Sequence, residues 1–176
     1  VIITSGGTQV MDLTTRVMTS EGDTIICEEP SFVGSLNCFR SHGCKLKGVP
    51  IESDGMDVVA LEKTVKETPN AKFIYTIPNF QNPGGTTLSW EKRKEIYRIA
   101  KENNLLILED DPYGNLRVEG EDVPAIKTLD EDGIVLYAGS FSKILAPGIR
   151  VAFAVVPKKI AKAFTIGKQV SDCLLY

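Results

Sequence analysis

The sequence predicts an α/β protein, a three-layer α/β/α fold around a mostly parallel mixed sheet, and three observations carry that expectation. Short apolar runs alternate with amphipathic segments along the chain. The runs are continuously apolar rather than alternating, as strands covered by helices on both faces are. The composition is 43% hydrophobic and 24% charged over 176 residues, the balance of an ordinary globular domain. A chain near this length buries roughly 70% of the surface that its unfolded form exposes, so the core needs neither metal nor disulfides.

The elements follow in order. Ser5-Gly6-Gly7 turns into a helix over residues 8–19, where Val10, Met11, Leu13, Val17 and Met18 recur at helical spacing. Residues 24–28 form a strand closed by Glu29-Pro30, and residues 32–40 a helix that ends at His42-Gly43. Residues 45–50 are a strand, 58–66 a helix, 73–77 a strand, 90–102 a helix and 105–109 an apolar strand. The rhythm then changes. The segments 134–138 and 150–156 are two strands joined by a loop too short for a crossover helix, which predicts an antiparallel strand in the sheet. The acidic stretch 114–133 reads as irregular surface. The chain opens at Val1 without a methionine and stops at Leu174-Leu175-Tyr176 inside a helical pattern, so it is read as a fragment.

Composition excludes several functions. Lys and Arg number 20 against 23 Asp and Glu, a net charge of −3, and the basic residues are scattered, unlike the basic patch of a nucleic-acid binder. The single histidine, His42, precludes a His-rich metal site. Cys27, Cys38, Cys44 and Cys173 form no C-x-x-C pair and no zinc spacing; they read as reduced thiols of a cytosolic protein, with Cys27 buried in a strand. No apolar run approaches the ~20 residues of a membrane span. A cytoplasmic protein without metal is expected.

The residues that carry chemistry cluster after strands, where sheets of this kind bind ligands. Three loops, Pro78-Asn79-Phe80-Gln81-Asn82-Pro83-Gly84-Gly85, Asp110-Asp111-Pro112-Tyr113-Gly114 and Gly139-Ser140-Phe141-Ser142-Lys143, should converge on one cavity. Ser140, Ser142 and Arg150 combine hydroxyls with a guanidinium fork, a phosphate clamp. Lys143 beside them, partly desolvated and near other cations, would have its amine pKa lowered as Schiff-base chemistry requires; the alternative is a solvated loop lysine. Gly6, Gly7 and Thr8 at a helix N-terminus offer backbone N–H groups to an anion, against the alternative of a plain cap by Ser5. Asp110 follows an apolar strand, where a cationic partner would account for it; with Asp111 alongside, a divalent metal is the rival, although a third carboxylate is lacking. Tyr113, past the rigid Pro112, can aim its phenol into the same cleft or pack as a half-buried ring.

Together, Ser5-Gly6-Gly7-Thr8-Gln9, Glu29-Pro30-Ser31-Phe32, Asn82-Pro83-Gly84-Gly85, Asp110-Asp111-Pro112-Tyr113 and Ser140-Phe141-Ser142-Lys143 with Arg150 resemble, in order and spacing, the class I and II aminotransferases. These are pyridoxal phosphate (PLP) enzymes with the aspartate aminotransferase fold. The resemblance implies that Lys143 holds PLP as a Schiff base and shuttles the proton, and that Asp110 pairs with the pyridinium nitrogen. Asn82 and Tyr113 would bond the phenolic oxygen. Gly7, Thr8, Ser140, Ser142 and Arg150 would hold the phosphate, and Phe32, where a Tyr is common in the family, would stack on the ring. The details lean towards the 2-aminoadipate, kynurenine and aromatic branch, acting on an amino acid and a 2-oxo acid as a homodimer. Residues 1–176 would be the PLP-binding large domain, without the N-terminal arm and the C-terminal small domain, and inactive alone. The same motifs recur in the C-terminal domain of MocR-type transcription regulators, where a winged helix-turn-helix precedes them; that is the alternative.

Overall fold

The computed structural model describes residues 1–173. The helices α1 (Gly7–Met18), α2 (Val33–Ser41), α3 (Val58–Lys66), α4 (Trp90–Glu102) and α5 (Lys158–Asp172) surround one sheet of eight strands. These are β1 (Ile2–Thr4), β2 (Thr24–Glu29), β3 (Lys45–Glu52), β4 (Gly55–Met56), β5 (Ala71–Thr76), β6 (Leu106–Asp111), β7 (Val135–Ser140) and β8 (Ala152–Val155). Their spatial order is β1-β8-β7-β6-β5-β2-β3-β4. β7, β6, β5, β2 and β3 run parallel. β8 lies antiparallel between β7 and β1, as the short 140–150 connection requires.

Burial along the strands explains why the sheet is sandwiched. Neighbouring residues of a strand point to opposite faces, yet Ile25 and Ile26, Phe73 and Ile74, and Ile107 and Leu108 are all buried. Only helices on both sides achieve this: α1 packs with α2 and α5, and α3 packs with α4. Local signals start the second pair. Asp57 Oδ1 accepts from the backbone N of Val59 at 2.9 Å and of Ala60 at 3.0 Å, and Ser89 Oγ caps α4 through Lys92 N. Such caps contribute about 1 kcal/mol each.

The structure departs from the sequence reading at β1, at β4, within the stretch 114–133 and at the start of β8. β1 and β4 are strands of three and two residues, too short for a hydrophobic period to reveal; β1 exists because β8 offers it an edge, with Ile3 opposite Phe153. The stretch 114–133 is not all surface, since a 3-10 turn at Ile126–Leu129 buries Ile126 completely. Glu109 reaches across to accept from Ile126 N at 2.7 Å and Lys127 N at 2.8 Å, and that buried acceptor holds the turn down. β8 begins at Ala152, because Arg150 takes a left-handed backbone (φ 51) that leaves the strand. The helical pattern ending at Leu174-Leu175-Tyr176 lies partly outside the described residues; α5 itself runs to Asp172.

The order of strands positions the site. The chain progresses from β2 outward to β3 and β4, then returns past β2 to β5 and continues outward through β6 and β7. Open α/β sheets bind ligands beyond the carboxyl ends of strands at such a reversal.

Candidate cofactor-binding site

A cavity of about 250 Å³ opens there, and Gly7, Thr8, Phe32, Asn82, Asp110, Tyr113, Ser140, Ser142, Lys143 and Arg150 all line it. The ten residues expected to hold the cofactor therefore reach one space, whereas Gly6 and Asp111 do not line it. Met11, Ser35, Ile77, Pro112 and Pro147 complete the wall; their residue types gave no sign of it.

Asp110 is the penultimate residue of β6 and lines the cavity. Its Oδ2 accepts from the Tyr75 hydroxyl at 2.8 Å, and the Tyr75 hydroxyl oxygen in turn accepts from the Ser35 hydroxyl at 2.8 Å. Burial pushes the Asp110 carboxyl up to about 6, with the Asp111 charge adding to the rise and the Tyr75 bond opposing it. The cationic partner expected from the sequence is not supplied by the described residues, so this carboxylate faces the cavity without a counter-charge. Asp111, next along the strand, points to the other face, where it accepts from Asn79 Nδ2 at 2.9 Å, Gly114 N at 3.0 Å and the Tyr137 hydroxyl at 3.0 Å. The strand pleat separates the two carboxylates, which removes the metal rival.

The anion-binding end is built from α1 and the turn after β7. Gly6 (φ 79), not Ser5, occupies the cap position of α1, and no side chain caps it. Ser5 instead donates its backbone N–H to Gln9 Oε1 at 2.7 Å. The first N–H groups of α1 thus lack a side-chain partner beside the cavity, where a helix terminus favours negative charge. Arg150 donates to Ser142 Oγ at 3.4 Å and to Pro147 O at 3.3 Å, and Ser142 N donates to Ser140 Oγ at 3.2 Å. The Arg150 guanidinium lies so close to Gly6 that a Cβ there would overlap it. Glycine at this position serves both the positive φ and the approach of the arginine.

Asn82 and Tyr113 meet on a third wall, with Asn82 Nδ2 donating to the Tyr113 hydroxyl at 3.1 Å. Phe32 stands partly exposed at the start of α2. Lys143 lines the cavity but is exposed. The desolvation expected for it is absent in this chain: the turn from Lys143 to Arg150 forms the cavity's rim, with Leu145 72% exposed beside it, and nothing among the described residues covers it.

Several residues that the sequence reading left aside support these walls. Arg93, fully buried, donates to Leu88 O, Pro78 O, Asn79 Oδ1, Val123 O and Pro124 O, and so ties the start of the 78–82 loop to the 123–124 segment. Glu28 and Gln81 are buried next to the same loop. For Glu28 the available signal was a charged residue at the end of an apolar run, which in a buried position needs partners; Arg93 and Gln81 lie in polar stretches that gave none. Away from the cavity, Asp12, Cys38 and His42 come together at metal-ligand spacing. Both Asp12 oxygens are engaged, however, by His42 Nε2 at 2.8 Å and by Arg16 at 2.9 Å, so the Asp12 carboxylate already has its partners there.

The cavity tests well for PLP. A carboxylate without a counter-charge suits a pyridinium N–H, uncapped helix N–H groups with Ser140, Ser142 and Arg150 suit a phosphate, and the Lys143 amine lines the same cavity. The sequence is 39% identical over 176 residues to aromatic-amino-acid aminotransferase 1 of Thermococcus litoralis, covering 98% of this chain and 42% of that protein. It is 35% identical over 164 residues to the probable rhizopine catabolism regulatory protein MocR of Rhizobium meliloti, covering 93% of this chain and 32% of that one. Among solved structures, Pyrococcus horikoshii kynurenine aminotransferase, crystallised with PMP, superposes with a TM-score of 0.93 at 39% identity, over 97% of this chain and 43% of that chain. The chain thus spans less than half the length of the relatives it matches. Residues 1–170 match the sequence pattern described as aminotransferase class I and II, and the chain belongs to that family.

Proposed function

We propose that this chain is the cofactor-binding part of a PLP-dependent aminotransferase, which moves the α-amino group of an amino acid to a 2-oxo acid. The observation that carries the reading is the cavity itself: an uncompensated Asp110 in one wall, an anion cradle in another and Lys143 at the rim. When bound, PLP supplies an aldehyde that joins amines and a ring that takes up the electrons released at the substrate α-carbon. Asp110 keeps a proton on the ring nitrogen, and Tyr75 holds the carboxylate in place for it. Thr8, Ser140, Ser142, Arg150 and the N–H of Gly7 bind a phosphate of about −2 charge. Asn82 and Tyr113 present donors to the phenolic oxygen, and Phe32 covers the ring. Lys143 would hold the cofactor through its side-chain amine, and that amine, once free, would be the group that takes and returns the substrate proton.

An amino acid of the aromatic, 2-aminoadipate or kynurenine class is the proposed donor, by likeness to the relatives that bear those names. Homodimeric assembly and a cytoplasmic location belong to the same proposal; no described helix is long and apolar enough to cross a membrane. The test is spectroscopic. The full-length protein with PLP should absorb in the visible range and change its spectrum on adding amino acid, and Lys143→Ala should abolish both. An unchanged spectrum in that variant would sink the assignment. The regulator relative favours a second reading, an aminotransferase-like effector domain behind a winged helix. A full-length protein that binds PLP and DNA but transfers no amino group to any 2-oxo acid would establish it.

A further inference from the structure

We infer that Gln81, anchored by Glu28, is a positioning residue that sets Asn82 and Phe32 against the cofactor as one unit. The inference rests on the PLP reading above. Neither residue lines the cavity, and both are about 2% exposed. Gln81 spends its whole side chain on the two segments that carry those contacts. Its Nε2 donates to Pro30 O at 2.9 Å, two residues before Phe32, and to Glu28 Oε2 at 3.0 Å. Its Oε1 accepts from Gly84 N at 2.6 Å, and its backbone N–H donates to Thr86 O at 2.8 Å. The turn that presents Asn82 is therefore closed around the Gln81 side chain and tied to the strand that leads to Phe32.

Glu28 fixes the amide from below. Its Oε1 accepts from Thr76 Oγ1 at 2.6 Å, and its Oε2 accepts from Ile77 N at 3.1 Å as well as from Gln81. One carboxylate thereby joins the carboxyl ends of β2 and β5, the strands between which the chain reverses. A buried amide with both hydrogens and its oxygen all bonded has one low-energy orientation, since any rotation leaves a polar atom unpaired. Asn82 inherits that orientation through the adjoining backbone.

The hydrogen bond that Asn82 would give to the phenolic oxygen weakens that oxygen's hold on the proton of the covalent Lys143–PLP linkage. Losing it raises the pH midpoint of the bound cofactor's absorbance by roughly one to two units, the equivalent of one hydrogen bond to a charged group. The experiment is an absorbance–pH titration of the full-length protein with PLP. Asn82→Ala should raise the midpoint, Gln81→Leu should raise it by a comparable amount, and the double variant should go no further than Asn82→Ala alone. Glu28→Gln should leave the midpoint in place, because its amide can donate to Thr76 Oγ1 while its oxygen still accepts from Ile77 and Gln81; Glu28→Leu should move it. A merely structural role would lower thermal stability and leave the midpoint unmoved. Should Gln81→Leu fail to accumulate folded, Gln81→Met and Glu28→Leu are read in the same way. A shift in Asn82→Ala with none in the Gln81 variants, or additive shifts, overturns the brace alone. No shift in Asn82→Ala overturns the assignment of Asn82 and the brace with it.

Discussion

Replacing Asp110 by Asn should stabilise the cofactor-free protein and weaken its hold on PLP. Burial raises the carboxyl from an ordinary value near 3.8 to about 6. A carboxyl raised on folding costs stability once it ionises. Between about pH 4 and 6 the folded state retains a proton that the unfolded state has lost, so stability falls as pH rises through that window and is flat above it. The rise of about two units corresponds to about 3 kcal/mol. Asparagine has the same shape, does not ionise and can still accept from the Tyr75 hydroxyl. Asp110→Asn should therefore raise the stability of the cofactor-free full-length protein by up to about 3 kcal/mol at pH 8 and by almost nothing at pH 4. With PLP the sign reverses, because removing one partner of a buried ion pair costs about 3–5 kcal/mol, a hundredfold or more in affinity. The assays are thermal unfolding without cofactor at both pH values, and PLP binding at pH 8. Destabilisation at pH 8, or an equal gain at both pH values, would refute the argument that Asp110 is an uncompensated charge awaiting its ligand.

Two further outcomes follow from the same geometry. Gly6→Ala should lower PLP affinity and cost about 1–3 kcal/mol of stability, since it combines a positive φ with displacement of Arg150; a titration showing wild-type affinity would remove Arg150 from the phosphate site. Arg93→Met should destabilise by about 3–5 kcal/mol, since its donors serve buried acceptors on three segments, and a loss under 1 kcal/mol on chemical denaturation would mean that water replaces the guanidinium.

Much of the fold was legible because its signals are local. The helices α3 and α4 begin at the Asp57 and Ser89 caps and end where the apolar spacing ends. Continuous runs such as residues 105–108 announced strands covered on both sides, and the short interval before β8 announced its antiparallel direction. The pieces that escaped depend on neighbours. β1 needs the edge of β8, and the Ile126 turn needs Glu109, a partner 17 residues away.

The site divides along the same line. By itself the sequence determined which side chains gather, because most of them end or follow a strand or open a helix, and in an α/β sheet those positions share one end. Only the tertiary structure decided what each one faces. The pleat of β6 sends Asp110 to the cavity and Asp111 to the opposite face, a difference that two identical neighbouring letters cannot express. It also placed Tyr75 and Ser35 behind Asp110, Arg150 against Gly6, and Gln81 between two loops, contacts that span 35, 144 and 51 residues of chain for Tyr75–Asp110, Gly6–Arg150 and Pro30–Gln81. It left Lys143 exposed where the sequence suggested desolvation, because burial is a property of what surrounds a residue and not of the residue itself.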